Sequence, residues 1–382
     1  MQEAGSGLDA LRPGCQLARD ELTSPWRTGK IMMKTLPHKL SVLPLAFAAL
    51  AFFVPAASDA QAVGPAPTVH RLEATPATVA YGYYWSGATP ALRVKSGDLI
   101  DVETMLTNTP TGLERIGVKP ADVPQHLRDI VAQDTGTLRG PGGHILTGPI
   151  YVEGADSGDV LEVRIKSITL PIAYGYNGCS GFVRELCEVR GSTLIHLDRQ
   201  HMTAEVAPGI VVPLRPFFGS MGVAPAPALG RVSSNPPGRH AGNLDNKELV
   251  AGTTLYIPVF VKGALLEIGD GHAAQGDGEV DQTAIETNLE GRIQVIVRKD
   301  LELEWPRGET PTHWITMGTD TSLVVATKTA IREMVKFLRE TKGISTTQAY
   351  QAASMAADAH ITQLVDGNVG VHMMIAKQYL QP

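Results

Sequence analysis

A chain of 382 residues with 43% hydrophobic composition and a net charge of −6 is globular material, long enough for one large domain or two intertwined ones. The mild acidity, without basic runs, leaves no electrostatic footprint for nucleic acid. The 39 glycines and 26 prolines, beside only 5% aromatics, suit many short strands joined by tight turns and are too dispersed for collagen or low-complexity sequence.

The first sixty residues concern address. From Met32 and Met33 the chain reads MMKTLPHKLSVLPLAFAALAFFVPAASDAQA. Lys34 and Lys39 form a positive n-region, residues 40–54 an apolar h-region, and Ala60-Gln61-Ala62 a small-x-small cleavage site before Val63. This predicts a signal peptide, a periplasmic or secreted protein and no membrane association after cleavage, with an uncleaved anchor as the alternative. Residues 1–31 carry Asp9, Asp20 and Glu21, which no signal peptide needs, and read as an over-extended start. The expected organisation is a leader over 1–62 and one domain over 63–382.

Along that domain, TVHRLEATPATVAYGYYW alternates, and ALRVKSGDLIDVETMLT reads as strand, Ser-Gly-Asp turn, strand. A looser polar stretch over 108–143 ends in RGPGGH. Alternation then predicts strands over 150–152 and 160–168, joined by GADSGD. Residues 171–200 read as an irregular insertion holding Cys179 and Cys187. With Cys15 in the expected leader, an exported protein keeps an even count, which favours a local disulfide; inert thiols or a cysteine nucleophile are the alternatives. APGIVVPLRPFFGSMGVAPAP reads as a buried run, GALLEIGD as a buried strand and IQVIVRKDLEL as an amphipathic strand. From 323 the period becomes helical as far as Gly343, and Ser345 caps a second helix expected over 345–365. Together these predict a mainly β, α+β protein whose α+β C-terminal part, about 310–382, carries a helical pair.

The stretch GDGHAAQGDGE, 269–279, concentrates the chemistry. Asp270 and His272 are two apart, as are Asp277 and Glu279, so in extended backbone each pair would share a side. The intervening glycines would allow positive φ and close approach of a ligand. Imidazole with carboxylates is a ligand set for zinc or a related divalent ion; oxygens alone would suit calcium, and a solvated surface loop is the plain alternative. PPGRHAGNLD adds His240, Asn243 and Asp245, and GGHILTGPIYVEGA adds His144 and Glu153. His240 alone also suits a structural histidine, Asp245 a cap, and Glu153 a salt bridge. No H-E-x-x-H helix, G-x-S-x-G elbow or phosphate loop is present, which leaves a metal-dependent or carboxylate/His-driven hydrolase.

GPIYVEGADSGDVLEV, FFGSMGVAP, GNLDNKEL, TTLYIPVFVKGALLEIGDGHAAQGDGEV and TAIE occur in the order in which they resemble the signatures of the acetamidase/formamidase family. The resemblance implies hydrolysis of a small linear amide to carboxylate and ammonia by a catalytic domain over 63–382. It also implies jelly-roll-like and barrel-like β parts, a bound divalent metal and a homo-oligomer, a dimer being the expectation. The candidate residues are Asp270, His272, Asp245 and His240 for metal, zinc first and calcium second. Glu279, Glu153 and Asp277 are the catalytic candidates, and Asn243, Gln275 and His144 would contact substrate. Ala241 departs from an expected glycine. The signal peptide and the cysteine-bearing insertion point to a different or larger amide than formamide or acetamide. The rival outside catalysis is a periplasmic metal-binding or ligand-binding β-protein.

Overall fold

Two nine-stranded sheets face each other across the main core in the computed structural model, which describes residues 66–134, 139–189 and 191–380. The expected signal peptide and its cleavage site lie outside the described residues. The first sheet runs Val69–Leu72, Leu99–Thr104, Leu289–Arg298, Val160–Thr169, Thr254–Pro258, Arg307–Glu309, His313–Asp320, Val369–Ala376, Ala357–Gln363. The second runs Ala241–Asn243, Phe217–Gly222, Ala264–His272, Glu286–Thr287, Tyr174–Gly178, Ser192–His196. Ile145–Glu153 also pairs with Ala264–His272 and carries Val79–Tyr81 and Leu92–Lys95. The mainly β, α+β expectation is met, with open sheets rather than closed barrels.

Period-two burial makes this sandwich. Leu289–Arg298 buries Leu289, Gly291, Ile293 and Val295 and turns the residues between them outward. Those apolar faces meet Phe218, Met221, Leu266 and Ile268 of the second sheet in one core. The sheets approach so closely that a Cβ at Gly291 would lie 2.7 Å from the Phe218 ring.

Two expectations are corrected, and the expected disulfide is present. The polar stretch 108–143 contains helices α1, Pro110–Arg115, and α2, Gln125–Gln133. Both are short, and the signal for α1 is local: Thr109 accepts a hydrogen bond from the Gly112 amide ahead of a proline at the first turn. The insertion 171–200 is not irregular throughout, because Tyr174–Gly178 pairs antiparallel with Ser192–His196. Cys179 and Cys187 are joined by a disulfide between those strands, so neither is a free thiol nucleophile.

Helix α3, Leu323–Lys342, ends at Gly343, whose φ of 63° is left-handed. Helix α4, Thr346–Ala356, begins with a reciprocal capping box between Ser345 and Gln348. It stops well short of residue 365, because Ala357–Gln363 forms an edge strand against Val369–Ala376. That pairing satisfies backbone groups of Val369–Ala376 which His313–Asp320, on its other side, does not reach. Ala326, Ala330, Met334 and Phe337 of α3 pack on these strands. No helix among the described residues is long and apolar enough to cross a membrane.

Candidate active site

The loop read from sequence begins as a strand. Ala264–His272 is buried along its whole length, so Asp270 and His272 sit inside the sheet. Gly269 and Gly271 serve the neighbouring strands: added Cβ atoms would lie 2.5 Å from the carbonyl oxygens of Ile145 and Thr287 respectively. Neither has positive φ; of the glycines in the stretch, only Gly278 does, at 98°.

Register brings the remaining groups in. Phe217–Gly222 pairs with Ala264–His272 on one side and with Ala241–Asn243 on the other, carrying Asn243 and Asp245 toward Asp270. Past the turn, Glu286 stands directly opposite His272. Asp245, Asp270 and Glu279 have φ of 48°, 56° and 43°. A left-handed conformation costs a non-glycine residue about 1–2 kcal/mol, and three in one cluster mark a site where geometry is held against local preference.

His272 is the hub. Its Nε2 lies 3.3 Å from Asp270 Oδ2 and 3.3 Å from Glu286 Oε1. Its Nδ1–H donates to Gln275 Oε1 at 2.9 Å, and Gln275 Nε2 donates to the Asp245 carbonyl at 2.8 Å. Asn243 Nδ2 donates to Asp245 Oδ2 at 2.7 Å while its Oδ1 accepts from Ser220 Oγ. Asp245, His272 and Glu279 form a second buried group, with ligand-type atoms within 4.8 Å of one another. His144 approaches from the edge, its Nε2 3.8 Å from Asp270 Oδ1 and its Nδ1 3.0 Å from Ser234 Oγ.

The electrostatics are those of crowded, desolvated acids. Burial pushes the carboxyls of Asp245, Glu279 and Glu286 above their ordinary range, and neighbouring carboxylates add to the effect. Asp366, from the turn after Ala357–Gln363, is pushed up to about 6, mainly by burial. Asp270 moves the other way: burial opposes its charge, yet His272 and His144 hold it low. Burial also opposes the His272 cation, and Glu286 and Asp270 prevail to raise it.

Such a cluster fits a divalent ion. Asp245 Oδ1 and Glu279 Oε2 are buried without hydrogen-bond partners, at a cost an ion would offset. Ligands about 2.0–2.1 Å from a tetrahedral zinc stand about 3.3 Å apart, the distance of His272 Nε2 from each of Asp270 and Glu286. Gln275 would hold the imidazole in the tautomer whose Nε2 is free to bind.

Asp245, Asp270, His272, Gln275 and Glu279 thus converge, with Asn243 behind them and His144 beside them. Asn243 and Gln275, expected at the substrate, have both amide ends committed within the protein and position Asp245 and His272 instead. Asp277 does not share a side with Glu279. It faces Lys247 and His360, because Gly278 and Glu279, both at positive φ, take the chain out of extended geometry. His240 stands apart from the metal-type groups, packed edge-on against Tyr84 with its Nε2 unpartnered. Glu153 is exposed at the end of its strand. Glu286 and Asp366 were missed. The first ends the TAIE run, which the family resemblance includes without giving Glu286 a role, and the second lies in a polar turn that nothing in the sequence sets apart.

The cluster opens through Gln275 and Glu279 into a cavity of about 650 Å³. Its walls include Ile195 and Val212 from the cysteine-bearing region and the hairpin that follows it.

The acetamidase/formamidase family model matches residues 100–235 and 230–378. An acetamidase of Mycolicibacterium smegmatis is 26% identical over 235 residues, 45% of this chain, which spans about half (56%) of that relative. An acetamidase structure from Bacillus halodurans superposes with a TM-score of 0.69 at 28% identity, covering 81% of this chain and 98% of the other. One from Yersinia enterocolitica gives 0.70 at 26% identity, covering 84% and 95%.

Proposed function

The chain belongs to the acetamidase/formamidase family, and from that premise we propose that it is an amidase, hydrolysing a linear amide to carboxylate and ammonia with a divalent ion held by Asp270, His272 and Glu286. The observation that carries this reading is His272 Nε2, buried and flanked at 3.3 Å by two carboxylates beside a cavity that Glu279 lines. An imidazole among the donors favours a zinc-type ion over calcium.

When bound, the ion supplies a Lewis acid that polarises the amide carbonyl and acidifies water. Glu279 is the general base: it lies between the cluster and the cavity, and burial raises its carboxyl above the ordinary carboxylate range, which makes it a stronger base. It takes the proton from the attacking water and returns it to the departing nitrogen. Asp245, held by the Asn243 amide, supports His272 from its Nδ1 side. His144 Nε2, 3.8 Å from Asp270 Oδ1, would support that carboxylate from the edge of the cluster. The Cys179–Cys187 disulfide supports an oxidising compartment as the setting.

Ammonia release from a panel of amides, with chelator and with restored zinc, tests the reading. Glu279→Gln is expected to retain fold and metal while losing about 10²–10⁴-fold in turnover. If the parent protein releases no ammonia from any amide, yet its melting temperature responds to chelator, the cluster is a structural ion site.

A further inference from the structure

A second group of metal-type side chains lies outside the proposed centre, on the outer side of the same turn. Asp277, His360 and His372 offer ligand atoms all within 4.8 Å of one another. Two features make this more than a chance gathering of polar groups. His372 is fully buried, and its Nε2 has no hydrogen-bond partner. Its Nδ1 lies 2.7 Å from Thr362 Oγ1. If Nδ1–H donates to that hydroxyl, the tautomer is fixed with the Nε2 lone pair exposed, the outer support that a metal-bound histidine ordinarily has. Second, His360 Nδ1 stands 3.1 Å from Asp277 Oδ2, close to the separation of two ligands on one tetrahedral zinc, about 3.3 Å.

The topology explains the meeting. His360 and His372 are directly paired across the edge strands Ala357–Gln363 and Val369–Ala376, so their rings stack with centroids 4.9 Å apart. Gly278 then bonds to the same edge strand, its amide donating to the Thr362 carbonyl and its carbonyl accepting from the Leu364 amide. That contact delivers Asp277 to the histidine pair.

One group opposes an ion. Lys247 Nζ lies 2.9 Å from Asp277 Oδ2 and neutralises it. Lys247 is partly exposed, on a flexible stem that can swing into water. A doubly charged ion with two imidazoles and a carboxylate would replace a single ammonium contact.

We propose that Asp277, His360 and His372 form a second binding site, for a zinc-type divalent cation, in competition with the Lys247 ammonium. An ion there would staple the turn that carries Glu279 to the C-terminal edge strands. The site therefore acts on the position of Glu279.

The test is zinc titration of metal-stripped full-length protein, read as stoichiometry and affinity rather than turnover. The parent is expected to bind two equivalents. His360→Ala, at a partly exposed position where folding is safest, should weaken one of them by more than the ~10–100-fold that loss of an outer-shell partner costs. Lys247→Met removes the competitor and should tighten that same equivalent on the order of tenfold. His372→Ala should behave like His360→Ala, and circular dichroism would show whether it folds. If stoichiometry and affinities in His360→Ala and Lys247→Met match those of the parent, there is no second site. Loss of the other equivalent on Glu286→Gln, with this one intact, would separate the two centres.

Discussion

A Cβ placed on Gly219 would lie 2.5 Å from Asp270 Oδ2 and 2.6 Å from Asp245 Oδ1. The two carboxylates thus close over a backbone position that has no side chain, and the space between them exists because it has none. Gly219→Ala should fold, since its strand keeps its pairing, but should displace one carboxylate. A misplacement of about 1 Å costs about 10²-fold in rate, so kcat/KM should fall at least that far, with weaker zinc retention. Wild-type kinetics in this variant would show that the two carboxylates need not approach so closely.

Gln275 ties His272 to the Asp245 carbonyl. Gln275→Ala frees the imidazole to change tautomer and should weaken zinc binding at the main centre by about 10–100-fold. Equilibrium competition with a chelator of known affinity would measure it. A drop in turnover with unchanged metal affinity would instead make Gln275 a substrate contact.

The disulfide closes a loop of eight residues between paired strands. Cys179→Ser/Cys187→Ser should lower stability by about 2.5 kcal/mol through loop-closure entropy, measured by denaturant unfolding. Activity should persist, and alkylation of the native protein should leave it untouched. A thiol nucleophile would reverse both outcomes.

His240 predicts part of the acid sensitivity. Burial lowers its pKa to about 4, against about 6.5 in the unfolded chain. The unfolded state therefore binds more protons between those values, and stability is lost as pH falls from 6.5 toward 4. The full loss is about 3 kcal/mol. The buried acids Asp245 and Glu267, whose pKa values burial raises, act in the opposite sense, so the informative quantity is a difference between variants. His240→Phe should flatten the acid limb of unfolding free energy against pH. Superimposable limbs would assign the sensitivity elsewhere, His372 being the next candidate.

Much of the fold was written locally. Alternation along 160–168 and along IQVIVRKDLEL foretold strands because burying one face of a sheet demands period two. Gly343 and Ser345 marked helix ends because φ at one and a side-chain oxygen at the other meet needs confined to a few residues. Asp270 and His272 could be paired for the same reason: two residues apart in one strand, they share a side. Even the expected glycine at 241 had a local cause, for Ala241 stands at φ 65°.

Only the tertiary structure decided what those two residues meet. Glu286 reaches His272 through strand register, Asp245 through a three-strand pairing, and Asp366 through an edge strand that sequence periodicity had extended as helix. Asp277 and Glu279 show the converse, close in sequence and parted by the positive-φ pair Gly278 and Glu279. Periodicity records which face a side chain takes within its own element. Which faces then converge depends on pairing between strands distant in sequence, and no local pattern of polar and apolar residues specifies that partner.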